Sequence, residues 1–125
     1  MAQQCSMTTA LWRRQNRDEV NRHYGLVFDL GTSTLVGKLI NLRDGGEVAV
    51  ASCLNSQFKH GTNVVSRLQY VKEHAKGLRT LHHLLIEDLN QLTARLLKTA
   101  GLNRKDIFIA VAAGNTTMQH IMLTL

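Results

Sequence analysis

Proline is missing altogether from the 125 residues, where average usage of about 5% would place about six. A collagen is excluded, and the composition offers no physical reason for the absence. Cysteine is nearly as scarce. Cys5 and Cys53 cannot build a disulfide framework and show no metal-ligand spacing, so a disulfide miniprotein and a zinc finger are excluded too. No apolar run approaches the roughly 18 residues that a membrane-spanning helix needs, and the N-terminus lacks the apolar stretch of a secretory signal. Aromatic residues are only 5% of the chain. The 15 Lys and Arg outnumber the 9 Asp and Glu, for a formal charge of +6 at pH 7. Bases alternate with acids, however, and aromatic platforms are few, so the excess reads as a solvated surface rather than a nucleic-acid stripe. What remains is 44% hydrophobic, enough for one globular domain with a single core.

Residues 1–23 are polar, with Leu11, Trp12 and Val20 as their large apolar groups. They read as an irregular head or linker remnant, and Asp18 and Glu19 among the arginines argue against a transit peptide. The folded part is expected over residues 24–125. Residues 24–29 (YGLVFD) suit a buried strand, and 34–42 alternate Leu35, Gly37 and Leu39 with Val36, Lys38 and Ile40, as a half-buried strand does. Asp44-Gly45-Gly46 suits a tight turn into a third strand over 47–54. Thr62 or Asn63 can cap a helix with Val64, Val65, Leu68 and Val71 on one face and Gly77 at its end. Leu78, Leu81, Leu85, Leu89, Leu92 and Leu96 then form one helical stripe, with Gly101 at the C′ position. Residues 107–113 (IFIAVAA) are continuously apolar, as in a parallel strand covered on both faces. A last helix follows Gly114-Asn115-Thr116-Thr117, with Met118 and Met122 on one packed face. The order predicts an α/β fold: a ribonuclease-H-like lobe with a three-stranded meander, two helices, a buried parallel strand and a C-terminal helix.

Two segments carry candidate chemistry. In DLGTST (Asp29–Thr34), Gly31 lets a ligand approach the backbone closely. Turn N–H groups and the hydroxyls of Thr32, Ser33 and Thr34 suit phosphate oxygens, and Asp29 suits Mg²⁺ held through water. In GNTT (Gly114–Thr117), Gly114, Asn115 and Thr116 lie after a strand, where ligands of α/β sheets gather beside helix N-termini. Helix capping alone also accounts for Asn115 or Thr116. The segments reinforce one another only if the strands holding Asp29 and Ala113 are neighbours. His82 and His83 are adjacent on a helix, so they point to different faces and do not share a metal. Cys53 reads as a small hydrophobe.

YGLVFDLGTST resembles the first phosphate loop of the acetate and sugar kinase, heat-shock chaperone and actin superfamily. LNSQFKHGTNVVSRLQYV (Leu54–Val71) and VAAGNTTMQHIML (Val111–Leu123) resemble one branch of it, the ATP-dependent reductive activators of corrinoid proteins. The resemblance implies a two-lobed ATPase region that follows an iron–sulfur domain and a linker. It also implies coupling of ATP to reduction of an inactive Co(II) corrinoid to Co(I) on a methyltransferase partner. By position, Asp29, Gly31, Thr32, Ser33 and Thr34 would belong to the first phosphate and Mg²⁺ loop, and Gly114, Asn115 and Thr116 would border the same cleft. Asn55, Gln57, Gly61, Ser66 and Arg67 match the family pattern without a role being implied.

No cysteine-rich motif precedes Tyr24, so no iron–sulfur cluster is expected in this chain. The sequence stops within the helix after GNTT, so the expectation is a first lobe without its second, with a weak or incomplete Mg-ATP site and little activity alone. Expected partners are a second-lobe chain or a corrinoid protein or methyltransferase, with neither nucleic acid nor membrane, in the cytoplasm. The rival expectation is a non-catalytic interaction module of the same fold, exposing Ile121, Met122 and Leu125. A sugar-kinase-like ATPase fragment is a third.

Overall fold

The computed structural model describes the backbone of residues 7–13 and the whole of residues 23–124. Strand β1 (Met7–Arg13) is followed by a meander of β2 (Tyr24–Leu30), β3 (Thr34–Asn41) and β4 (Glu47–Leu54). A short 3₁₀ turn (Ser56–His60), helix α1 (Val64–Glu73) and helix α2 (Gly77–Ala100) lead to β5 (Ile107–Asn115) and helix α3 (Thr116–Leu123). The five strands lie in the order β1-β5-β2-β3-β4, with β2 parallel to β5 and the other pairs antiparallel. This is the mixed α/β ribonuclease-H-like lobe that the element order predicts.

Alternation places the core. Leu26, Phe28 and Leu30 on β2 and Leu35 and Leu39 on β3 turn to one sheet face. There they meet the stripe of α2, whose Leu81, Leu85, Leu89, Leu92, Leu96 and Leu97 are buried. Gly101 ends α2 with φ 69°, and its N–H donates to Leu97 O and Lys98 O; that left-handed position is why glycine stands there. Met118, Ile121 and Met122 of α3 join the same core.

Four expectations are corrected. The head is not irregular throughout, since residues 7–13 pair antiparallel with β5, from Met7 opposite Asn115 to Arg13 opposite Ile109. The pairing supplies hydrogen bonds to what would be an open edge of β5. Cys5, the rest of the head, the side chain of Trp12, and Leu125 fall outside the described residues. Second, β5 is not enclosed on both faces. The helices pack on the face of Phe28 and Ala112, while Ile109 and Val111 are half-buried and neighbouring Val27 and Val50 exposed on the other. Third, Gly77 does not end α1; the chain leaves α1 at His74, and Gly77 opens α2. Its bare Cα allows close passage of Val71, whose Cα lies 2.9 Å from where a Cβ would stand. Fourth, Ile121 and Met122 are not exposed as the rival reading requires, because α3 lies on α2 and His82 Nδ1 donates to Ile121 O at 3.0 Å.

Candidate phosphate site

The parallel pairing of β2 and β5 brings the two candidate segments together. Asp29 stands opposite Ala113 and Leu30 opposite Gly114, so DLGTST and GNTT leave the carboxyl ends of adjacent strands. Gly114 allows that proximity: a Cβ there would sit 3.0 Å from Leu30 Cβ and 3.2 Å from Met118 Cβ. Asn115 caps α3, its Oδ1 accepting from Met118 N at 2.9 Å, and Gln119 Nε2 donates to Gly114 O at 2.7 Å. The helix N-terminus thus opens beside the turn. Asp29, Ser33 and Thr34 are exposed, and Gly31 and Thr32 are half-buried.

Behind the turn lies a polar cluster with no place in a pattern of apolar periodicity. Asn55, Gln57 and Arg67 are fully buried, the last with 1% of its surface exposed. Asn55 Nδ2 donates to Gly31 O at 3.0 Å, Asn55 N to Ser33 O at 2.9 Å, and Arg67 Nη2 to Thr32 O. Arg67 also donates through Nε to Gly61 O at 2.8 Å, and through Nη1 to Gln57 Oε1 at 3.3 Å and Met118 Sδ at 3.7 Å. Burial lowers the pKa of Arg67 from its ordinary value. Gln57 is held in turn, its N donating to Asn55 Oδ1 and its Nε2 to Leu81 O, each at 3.0 Å. Asp88 closes the network from α2, accepting from Ser56 N at 2.8 Å and Ser56 Oγ at 2.7 Å.

Capping explains how α1 delivers Arg67. Asn63 Oδ1 accepts from Ser66 N at 2.8 Å while Ser66 Oγ accepts from Asn63 N at 3.1 Å, a reciprocal box that fixes the helix start. Of the expected apolar face of α1, Val65 is 72% exposed and Leu68 53%; Arg67 takes the inward position instead. Leu68, Val71, Leu78 and Ile121, with Arg67, Thr117 and His120, line a pocket of about 270 Å³ beside this helix. Its walls are chiefly apolar, so it offers a phosphate less than the turn does. Asp88 is the residue that sequence reasoning missed. Its signal was spacing, three residues after Leu85 and four before Leu92, which puts an acid on the buried stripe. His82 and His83 diverge as expected, His83 pairing with Glu87 at 3.3 Å on the surface. Cys53 is half-buried, its thiol pushed up by burial and by Asp88, with Arg95 opposing.

Comparison with known proteins decides the family. Residues 24–125 match the family described as RACo middle region. The chain belongs to the reductive activators of corrinoid proteins. Among them, the corrinoid activation enzyme RamQ of Eubacterium limosum is 35% identical over 102 residues, covering 82% of this chain and 17% of RamQ. A solved reductive activator for corrinoid, iron–sulfur protein is 38% identical with a TM-score of 0.80, over 83% of this chain and 17% of that one. The chain therefore spans about a sixth of the length of these activators.

Proposed function

We propose that this segment supplies one side of the nucleotide site of an ATP-dependent corrinoid-protein activator, with the other side coming from polypeptide outside these 125 residues. The observation that carries the reading is the register Leu30–Gly114, which sets DLGTST and GNTT side by side at the carboxyl ends of parallel strands. The residues suit a phosphate. Both segments are rich in hydroxyls, neither Gly31–Thr34 nor Gly114–Thr117 contains a carboxylate, and the N-terminus of α3 lies beside them. They also suit Mg²⁺ as nucleotides carry it, with one protein carboxylate, Asp29, and the remaining oxygens from water and phosphate. Among the described residues no group of three His, Cys, Asp or Glu offers a metal cage of its own.

In this reading Gly31, Thr32, Ser33 and Thr34 would bind the phosphates, Asp29 would hold Mg²⁺ through water, and Gly114, Asn115 and Thr116 would border the cleft. Bound Mg·ATP would supply the free energy that an uphill reduction of a corrinoid requires. The segment alone is inactive or nearly so, since phosphoryl transfer takes groups from both sides of the nucleotide. Its partners are a corrinoid protein or methyltransferase and a chain or domain bearing the second lobe, in the cytoplasm. The membership of residues 24–125 in the activator family supports this assignment.

A second reading, a non-catalytic interaction module, has one observation in its favour: Val65 and Leu68 stand exposed beside the apolar pocket. Calorimetry with Mg·ATP separates the readings. One side of a site predicts binding weaker than micromolar, abolished by Asp29→Ala and Thr32→Ala. Sub-micromolar affinity contradicts the one-sided site, and binding unaffected by both substitutions contradicts its location.

A further inference from the structure

Two successive carbonyls of the DLGTST turn are tied to the body of the protein by buried side chains: Gly31 O by Asn55 and Thr32 O by Arg67. A trans peptide is planar, and its C=O and N–H point in opposite directions. Anchoring these two carbonyls inward therefore turns the N–H groups of Thr32 and Ser33 outward. Successive N–H groups facing one way make an anion-binding concavity.

We infer that Arg67 and Asn55 are positioning residues for the phosphate site, holding the Thr32 and Ser33 N–H donors toward the ligand without touching it themselves. The inference rests on the proposal above that a phosphate binds at this turn, and it gives a role to residues that the sequence pattern singled out without one. Arg67 reaches furthest. Its side chain leaves α1, bonds Thr32 O of the first segment, and ends against Met118 in the first turn of the helix that follows the second. One guanidinium thus fixes the turn relative to α3. Its acceptors Gly61 O, Gln57 Oε1, Thr32 O and Met118 Sδ are all neutral, and among the described residues no carboxylate forms an ion pair with it. A buried cation without a counter-charge is costly, and an anion across the turn offsets that cost. The same charge that orients the donors also favours what they bind.

The test uses the full chain, amide hydrogen exchange and Mg·ATP as the probe. In Arg67→Met, the amide of Asn55, whose N–H donates to Ser33 O of the loop, should exchange about tenfold faster while those of β3 and α2 keep their protection. Affinity for Mg·ATP, read on the folded protein, should fall about tenfold, the worth of one charge-assisted hydrogen bond. Arg67→Lys, which keeps the charge and one donor, should recover part of both. A residue that only stabilises the fold would leave the affinity of the folded protein unchanged. Unaltered exchange at Asn55 with unaltered affinity overturns the inference, as does a loss of protection spread evenly over the domain. Should Arg67→Met not fold, Asn55→Ala reads the same loop through Gly31 O: faster exchange of the amide at position 55 with weaker binding supports the positioning role, and no change in either overturns it. A wild-type chain that responds to neither Mg·ATP nor inorganic phosphate refutes the nucleotide reading alone, and the exchange rates of the variants still decide the positioning.

Discussion

Replacing Gly61 by alanine should damage this protein far from any strained torsion. Gly61 ends the 3₁₀ turn with φ 166°, an extended conformation open to any residue. The obstacle is proximity: a Cβ there would stand 2.7 Å from Arg67 N and Cγ and 2.9 Å from Ser66 C. Ordinary contact begins near 3.4 Å, so the turn and the first coil of α1 must separate by roughly 0.7 Å, and overpacking of this kind costs about 1–3 kcal/mol. The same movement stretches the 2.8 Å bond from Arg67 Nε to Gly61 O, and loss of a bond to a charged donor adds about 1.5 kcal/mol or more. Together these predict a loss of about 2.5–4.5 kcal/mol. For a domain of this size that lowers the thermal midpoint by roughly 6–15 °C. Differential scanning calorimetry reads it directly. Gly101→Ala is the control, with φ 69° and no atom within 4 Å of the added carbon; its cost is torsional, about 1–2 kcal/mol. A midpoint for Gly61→Ala within about 2 °C of wild type would refute the packing argument.

Asp88→Ala should destabilise by about 3 kcal/mol, because it strips the acceptor from Ser56 N and Ser56 Oγ together. A double-mutant cycle with Ser56→Ala, read by urea unfolding, should return a coupling of about 1 kcal/mol, and zero coupling would contradict the contact. His60 stacks on Tyr70 at 4.4 Å between ring centres, and Tyr70 on His74 at 4.3 Å. Burial chiefly, with the charges of Lys59 and His74, holds the His60 pKa below its ordinary value. The unfolded chain therefore takes up the proton first as pH falls. The stability His60 contributes is present above the ordinary histidine range and is lost through the folded-state value. An NMR titration should show His60 protonating below a histidine peptide, and a midpoint at or above the peptide's would reverse the sign.

Much of the fold is legible in local pattern. The period-two alternation of Leu35, Gly37 and Leu39 and the leucine stripe of α2 each mark a face that the structure buries. The neighbourhood of Asp29 and Ala113, a condition for the two segments to act together, is met by the β2–β5 register. What pattern did not reveal depends on partners distant in sequence. Strand β1 exists because β5 offers an edge about a hundred residues later. Valine and leucine at the spacing of Val64, Val65, Leu68 and Val71 predict a buried stripe, yet Arg67 faces inward while Val65 and Leu68 remain exposed. Periodicity assigns an arginine to solvent, since it cannot foresee four neutral acceptors gathered from the turn, the 3₁₀ segment and α3. The roles of Asn55 and Gln57 were hidden for the same reason. They satisfy backbone atoms 24 residues away.

The central claim is that DLGTST and GNTT form one phosphate site, and an amide NMR titration of the chain with Mg·ATP tests it most directly. Shifts should concentrate at Gly31–Thr34 and Gly114–Thr117, moving together with a single apparent affinity. A folded protein whose spectrum stays unchanged up to millimolar nucleotide, or whose shifts fall elsewhere, would contradict it.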